Sequence, residues 1–143
     1  MSAGPTRARP PFRFSVRLRV GFDETDAQAV VYYGRYFPYC DRARVEYQRH
    51  LQLLHSLPDG LEFVMRQTQC EYEAPARFDD EIDVELAITR LETTSMTTTT
   101  AVRRDGELLV EGRIAHVFVD PATLAKKEIP ERVRAGLAPY AVA

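Results

Sequence analysis

GRYFPYCDRARVEYQRHLQLL, residues 34–54, is the stretch on which the fold turns. At about 100° per residue, Tyr36, Phe37, Cys40, Ala43, Tyr47, Leu51 and Leu54 fall within one stripe about 120° wide. A helix of that pattern buries one side along its whole length. Pro38 is tolerated only in a first turn, so the spacing predicts a helix from about Arg35 to Leu54, opening near Gly34 or Arg35. Arg44 intrudes at the border of the stripe, where its stem can be buried while its head reaches the edge. Pro58-Asp59-Gly60 is a turn signal beyond the helix.

Outward from the helix the pattern changes to a period of two. Phe12, Phe14, Val16, Leu18, Val20 and Phe22 alternate with Arg13, Ser15, Arg17, Arg19 and Gly21, as in a strand with one buried face. Downstream, 63–73, 82–91, 93–104 and 107–119 read as strands, with Asp105-Gly106 as a tight hairpin between the last two. In the last of these, Leu108, Val110, Ile114 and Phe118 share a parity with Gly112 and His116, and Asp120-Pro121 closes it. A short strand near 127–129 precedes a helix over 130–137 with Pro130 in its first turn. One strand, one long helix and four long strands make an α+β domain, with an antiparallel sheet of five or more strands wrapped around the central helix.

The 143 residues suit one domain: 12–138, between a disordered tail over 1–11 and a C-terminal tail over 139–143. With 45% hydrophobic and 28% charged residues the chain is an ordinary globule. A net charge of −2 gives no global field for nucleic acid or an anionic membrane. The longest apolar run, Ala29 to Tyr33, is far below the ~20 residues that span a bilayer. The basic start of the chain leads straight into strand-like sequence without an apolar leader, which points to the cytoplasm. There Cys40 and Cys70 remain reduced thiols.

The connection between first strand and helix, 21–36, sets Asp23, Glu24 and Asp26 just upstream of a helix N-terminus. The free N–H groups there carry the positive end of the macrodipole, so a carboxylate lies beside ready-made oxyanion donors. Ordinary capping and turn chemistry reads the same residues equally well.

This segment resembles the signature of the hotdog-fold thioesterases of the 4-hydroxybenzoyl-CoA thioesterase type, in which Asp-x-Asp precedes small and apolar residues and an aromatic-rich helix start. Asp26 matches that family's catalytic carboxylate and Tyr32-Tyr33 its aromatic pair. Arg35-Tyr36, Asp41-Arg42-Ala43-Arg44, Tyr72-Glu73-Ala74-Pro75-Ala76 with Asp79-Asp80, and Gly112-Arg113 extend the likeness over about 14–137. Two positions depart from it: Ala29 stands where the family usually has Gly, and Tyr33 where many members carry His.

The resemblance implies hydrolysis of an acyl-CoA with an aromatic or medium-chain acyl group and without a cofactor or metal. The thioester carbonyl would accept a hydrogen bond from the Tyr33 amide while Asp26 attacks it or activates water. It further implies a homodimer, paired into a homotetramer, with sites at the subunit interface. Tyr32 would contact the substrate, and Asp41 would approach the acyl pocket of a partner subunit. Phe63, Val64 and Met65 are candidates for that pocket's lining. By charge and position, Arg103, Arg104 and Arg113 are candidates for the CoA phosphates.

Other residues carry less. His50 and His55 lie about 140° apart on a helix and cannot form an i, i+4 metal pair. His116 reads as a packed or hydrogen-bonded histidine, and both cysteines as small hydrophobes. No residues have the spacing of a triad or a glycine-rich phosphate loop. Two other functions fit the same fold: a hydratase or dehydratase, which would need a histidine that 26–35 lacks, and a non-catalytic acyl-CoA or lipid-binding module.

Overall fold

The computed structural model describes residues 2–4, 12, 14–51 and 62–140. Six strands form one antiparallel sheet: β1 (Ser2–Gly4), β2 (Phe14–Arg19), β3 (Glu62–Tyr72), β4 (Glu81–Leu91), β5 (Ser95–Arg104) and β6 (Glu107–Val119), in the order β1-β2-β4-β5-β6-β3. Helix α1 (Tyr36–His50) lies in the sheet's concave face, and α2 (Glu131–Leu137) covers one end of it. This is the hotdog arrangement, a sheet wrapped around one helix.

Register explains the alternation seen in the sequence. Val16 stands opposite Val84, Val84 opposite Val102 and Val102 opposite Val110, all on the face toward α1. All four are buried, as are Phe14, Leu18, Ile82 and Leu86 on that face. The β5–β6 hairpin turns at Asp105 and Gly106, with φ of 50° and 86°. Positive φ at both central residues is the geometry that Asp-Gly favours.

Helix and sheet meet most closely at Gly112. A Cβ there would lie 2.8 Å from Thr100 Oγ1, 3.4 Å from Cys40 Sγ and 3.5 Å from Cys70 Sγ. Cys40 is 1% exposed and burial pushes its thiol up to about 12, so it packs as an apolar residue.

Four details depart from the sequence reading. α1 ends at His50, where the Leu51 N–H turns back to the Tyr47 carbonyl; Leu54 and Pro58-Asp59-Gly60 lie outside the described residues. Tyr39, absent from the apolar stripe, is fully buried. Ser2–Gly4, inside the expected disordered tail, pairs with β2, whose outer edge offers it unpaired backbone groups. In place of a strand at 127–129 there is only a bridge between Lys126 and Val119, though α2 follows with Pro130 as its N-cap.

The two ends of the sheet differ. β3 forms one edge, and its residues 64–67 and 71–72 are exposed. No helix of the described residues is long and apolar enough to cross a membrane.

His116 on β6 is 2% exposed, and among the described residues its Nδ1 has no hydrogen-bond partner. Burial, then the Arg44 charge, pushes its pKa from 6.5 down to about 4, against a smaller opposing pull from Asp41. The unfolded chain therefore takes up a proton that the folded chain refuses. Stability is highest above the unfolded pKa of 6.5 and falls as the pH drops toward 4, by about 3 kcal/mol. Urea unfolding on either side of that window measures the loss, and His116→Gln removes its contribution.

Candidate active site

The loop between β2 and α1 is closed by its own backbone. Thr25 and Val31 form an antiparallel bridge, the Asp26 N–H donates to the Val30 carbonyl at 2.9 Å, and the Ala29 N–H donates back to the Asp26 carbonyl at 2.9 Å. Ala29 completes this turn at φ 63°, in the left-handed region where a Cβ is unfavourable. A glycine would sit there freely, which gives the Ala29 departure its physical meaning.

Two further bonds fix the loop, one to the body and one within the loop itself. The Val31 N–H donates to the Ala76 carbonyl at 2.9 Å, and the Tyr32 N–H to the Glu24 carbonyl at 3.0 Å. The Glu24 side chain, nearly buried, accepts the Gly21 N–H at 2.7 Å. Glu24, rather than Asp23, is thus the carboxylate that holds the loop by a hydrogen bond.

Asp26 sits half-buried at the start of the turn. Its Oδ1 accepts the Gln28 N–H at 2.8 Å, which fixes the carboxylate's orientation. Among the described residues, Oδ2 accepts no hydrogen bond. The Tyr32 phenol has its pKa raised, first by the Tyr33 phenol, then by burial and last by the Asp26 charge. The Thr25–Val31 bridge, with the Asp26-to-Val30 and Tyr32-to-Glu24 bonds, lays residues 24–26 alongside 30–32.

Tyr33–Arg35 form a 3-10 turn that feeds directly into α1. Its first bond runs from the Arg35 N–H to the Tyr32 carbonyl at 2.9 Å. In a trans peptide the N–H opposes the C=O. With the Tyr32 carbonyl turned into the turn, the Tyr33 N–H points out of it, at the positive end of the helix. A Cβ at Gly34 would lie 2.9 Å from the Tyr32 ring, so a side chain there would have to displace that exposed ring.

A cavity of about 270 Å³ opens beside this turn, lined by Val31, Tyr33, Tyr36, Tyr72, Glu73, Ala74 and Pro75. Burial raises the Tyr36 phenol, which stays protonated and accepts the Ala76 N–H at 3.0 Å. Only Tyr33 of this lining was among the residues singled out for the site. The signal for the rest was the Tyr72–Ala76 motif, which a linear reading cannot bring to the helix start. Among the described residues, no group of His, Cys, Asp and Glu could hold a metal ion.

Of the remaining candidates, Arg104 adjoins the cavity wall, reaching the Pro75 carbonyl at 3.2 Å; the others line no part of it among the described residues. Asp41 accepts from Arg44 Nε at 3.4 Å beside a second groove of about 320 Å³, with Arg42, Arg44, Val45 and Glu46. Phe63, Val64 and Met65 open β3, more than about 20 Å along the strand from Tyr72. Arg103 Nε lies 2.8 Å from the buried Glu85. Arg104 reaches Asp80 at 2.7 Å and Glu107 at 2.8 Å. Arg113 is more exposed, with one contact to Glu111 at 3.5 Å.

Comparison with known proteins follows the same lines. The model of the thioesterase-like superfamily matches residues 20–137. The chain is 35% identical over 125 residues to the acyl-CoA thioester hydrolase YbgC of Escherichia coli O6:H1, covering 85% of this chain and 92% of that one. A hypothetical protein, AQ1494, from Aquifex aeolicus superposes with a TM-score of 0.82 at 32% identity, over 87% of this chain and 98% of its own. Slr0204, a 1,4-dihydroxy-2-naphthoyl-CoA thioesterase from Synechocystis, shares the fold with a TM-score of 0.79 at 19% identity, over 87% and 94% of the two chains.

The left-handed Ala29 is open to a direct test. Ala29→Gly is expected to leave stability unchanged or raise it by up to about 1 kcal/mol, relief of the Cβ clash being offset by backbone entropy. Ala29→Val, β-branched at the same φ, is expected to destabilise; urea midpoints of the two variants rank them.

Proposed function

The chain belongs to the thioesterase-like superfamily, and we propose that it hydrolyses an acyl-CoA with an aromatic or medium-length acyl group through Asp26 and the Tyr33 amide. That it is a thioester hydrolase acting on acyl-CoA follows from its likeness to YbgC over most of both chains. The observation that supports the finer reading is the turn itself. It offers a carboxylate with one anchored and one open oxygen in the same folded-back loop as an outward N–H at a helix start.

With the thioester carbonyl oxygen on the Tyr33 N–H, charge that develops on that oxygen meets a fixed donor. Attack by Asp26 Oδ2 forms a C–O bond, and collapse expels the CoA thiolate and leaves a mixed anhydride, which water then cleaves to the acid. Alternatively the carboxylate takes a proton from water as that water attacks, and the thiolate leaves in the same way. Both routes need the Asp26 oxygen beside the carbonyl.

A dimer completes this reading. Phe63–Met65 are too far along β3 to reach the Tyr33 cavity within one chain. Antiparallel pairing of two β3 edges about a two-fold axis would set the start of one strand against the end of the other. The partner's first β3 residues would then flank Tyr72, and its Asp41 could approach the acyl end. We take two such dimers to form the tetramer. Arg113, the least committed of the three arginines, is the one we assign to the CoA phosphates. The free thiols of Cys40 and Cys70 suit a reducing compartment, the cytoplasm.

Asp26→Asn keeps the volume and removes the basicity, so turnover of a panel of acyl-CoAs, read as thiol release, should fall by about 10²–10⁴. Asp23→Asn should change it little. Near-normal turnover in Asp26→Asn would overturn the assignment. Sedimentation tests the assembly: full activity in a species with the mass of one chain would remove the shared site.

A further inference from the structure

The Tyr72 phenol, at the far end of β3, donates a hydrogen bond to the Tyr33 carbonyl at 3.2 Å. Its ring also stands edge-on to Tyr36 at 5.7 Å and to Tyr33 at 6.5 Å. We infer that Tyr72 is a positioning residue, which clamps the Tyr33–Gly34 peptide and so fixes the direction of the Tyr33 N–H. This inference rests on the thioesterase reading of the site.

The case is one of backbone degrees of freedom. The Tyr32–Tyr33 peptide carries the proposed oxyanion donor and is held on one side by the Arg35-to-Tyr32 bond. Its other neighbour is the peptide before Gly34, where the missing Cβ removes the usual limits on rotation. The Tyr32 ring packs over that glycine, 2.9 Å from where a Cβ would lie. The turn therefore has its loosest joint next to the atom that must be aimed best, and the Tyr72 bond falls on the carbonyl at that joint. A donor misaimed by rotation loses transition-state stabilisation while the acyl and CoA contacts that bind substrate persist. Burial, first among several causes, raises the Tyr72 phenol, so it remains a donor throughout the neutral range.

Tyr72 belongs to β3, while Tyr33 belongs to the segment between β2 and α1. The bond thus joins the sheet's free edge to the catalytic turn. Through it, whatever holds the end of β3 also steadies the turn.

Tyr72→Phe keeps the ring and removes only the donor. With benzoyl-CoA and hexanoyl-CoA as probes, kcat is expected to fall about three- to tenfold, the worth of one neutral hydrogen bond, with KM unchanged. In the same variant, amide exchange of Tyr32, which donates to the Glu24 carbonyl, and of Arg35, which donates to the Tyr32 carbonyl, should quicken while Val84 and Val102 in the core keep their rates. Unchanged kcat and unchanged exchange at the turn would overturn the inference. So would exchange that quickens equally in turn and core, or a loss of kcat accompanied by a rise in KM. If the wild type turns over neither probe, the thioesterase reading for these acyl classes fails, and exchange alone still decides whether Tyr72 holds the turn.

Discussion

Both backbone groups of Ala76 are spent on the segment that precedes and begins α1: its carbonyl takes the Val31 N–H, and its N–H goes to the Tyr36 hydroxyl. One buried residue thus fixes the end of the Asp26 loop and the first turn of the helix to the same point. The peptide that carries its N–H is itself held from the sheet. Arg104 on β5 reaches the Pro75 carbonyl at 3.2 Å and the Asp80 carboxylate at 2.7 Å, and so braces the turn in which Ala76 lies. Burial alone would raise the Asp80 carboxyl, but its bonds to Arg104 and the Arg77 N–H outweigh that and hold it below its ordinary range. The chain of support runs from hairpin to arginine, from arginine to peptide, and from peptide to loop. An arginine whose charge suggests a phosphate partner is occupied with architecture.

Period and spacing made most of the fold legible. Strands with one buried face alternate as β2 does, and Asp-Gly between two β-branched runs has few readings. What escaped was decided by proximity between distant parts of the chain. Tyr39 is buried because it faces the β2–α1 loop near Glu24, whose charge adds to the burial that raises the phenol. No helical stripe contains that information. The pairing of Ser2–Gly4 with β2 depends on an edge left free by the sheet order, which no local pattern encodes.

The site divides in the same way. The proposed pair, Asp26 and Tyr33, is legible because its members lie seven residues apart in one segment, and a loop of that length folds back on itself. The cavity wall is not, because Tyr72 to Pro75 reach the helix start only through the course of β3. Gly112 marks a middle case. It stood out as a motif, and its reason appears only when Thr100, Cys40 and Cys70 crowd the space a side chain would need. Protonated, apolar thiols let the helix settle onto the sheet there, and this depth sets where its first turn emerges.

The two sheet edges differ in length: β1 covers β2 with three residues, whereas β3, among the described residues, has no outer partner strand along its eleven. A sheet with two open edges of similar length can recruit copies at both and grow into a filament. With one short and one long edge, pairing through the long edge about a two-fold axis consumes it in both copies and leaves only short ones. Growth by strand addition would then stop at two. Ser2–Gly4 leaves an incoming strand only three residues of edge to pair with, a geometric limit on self-association that owes nothing to substrate or chemistry.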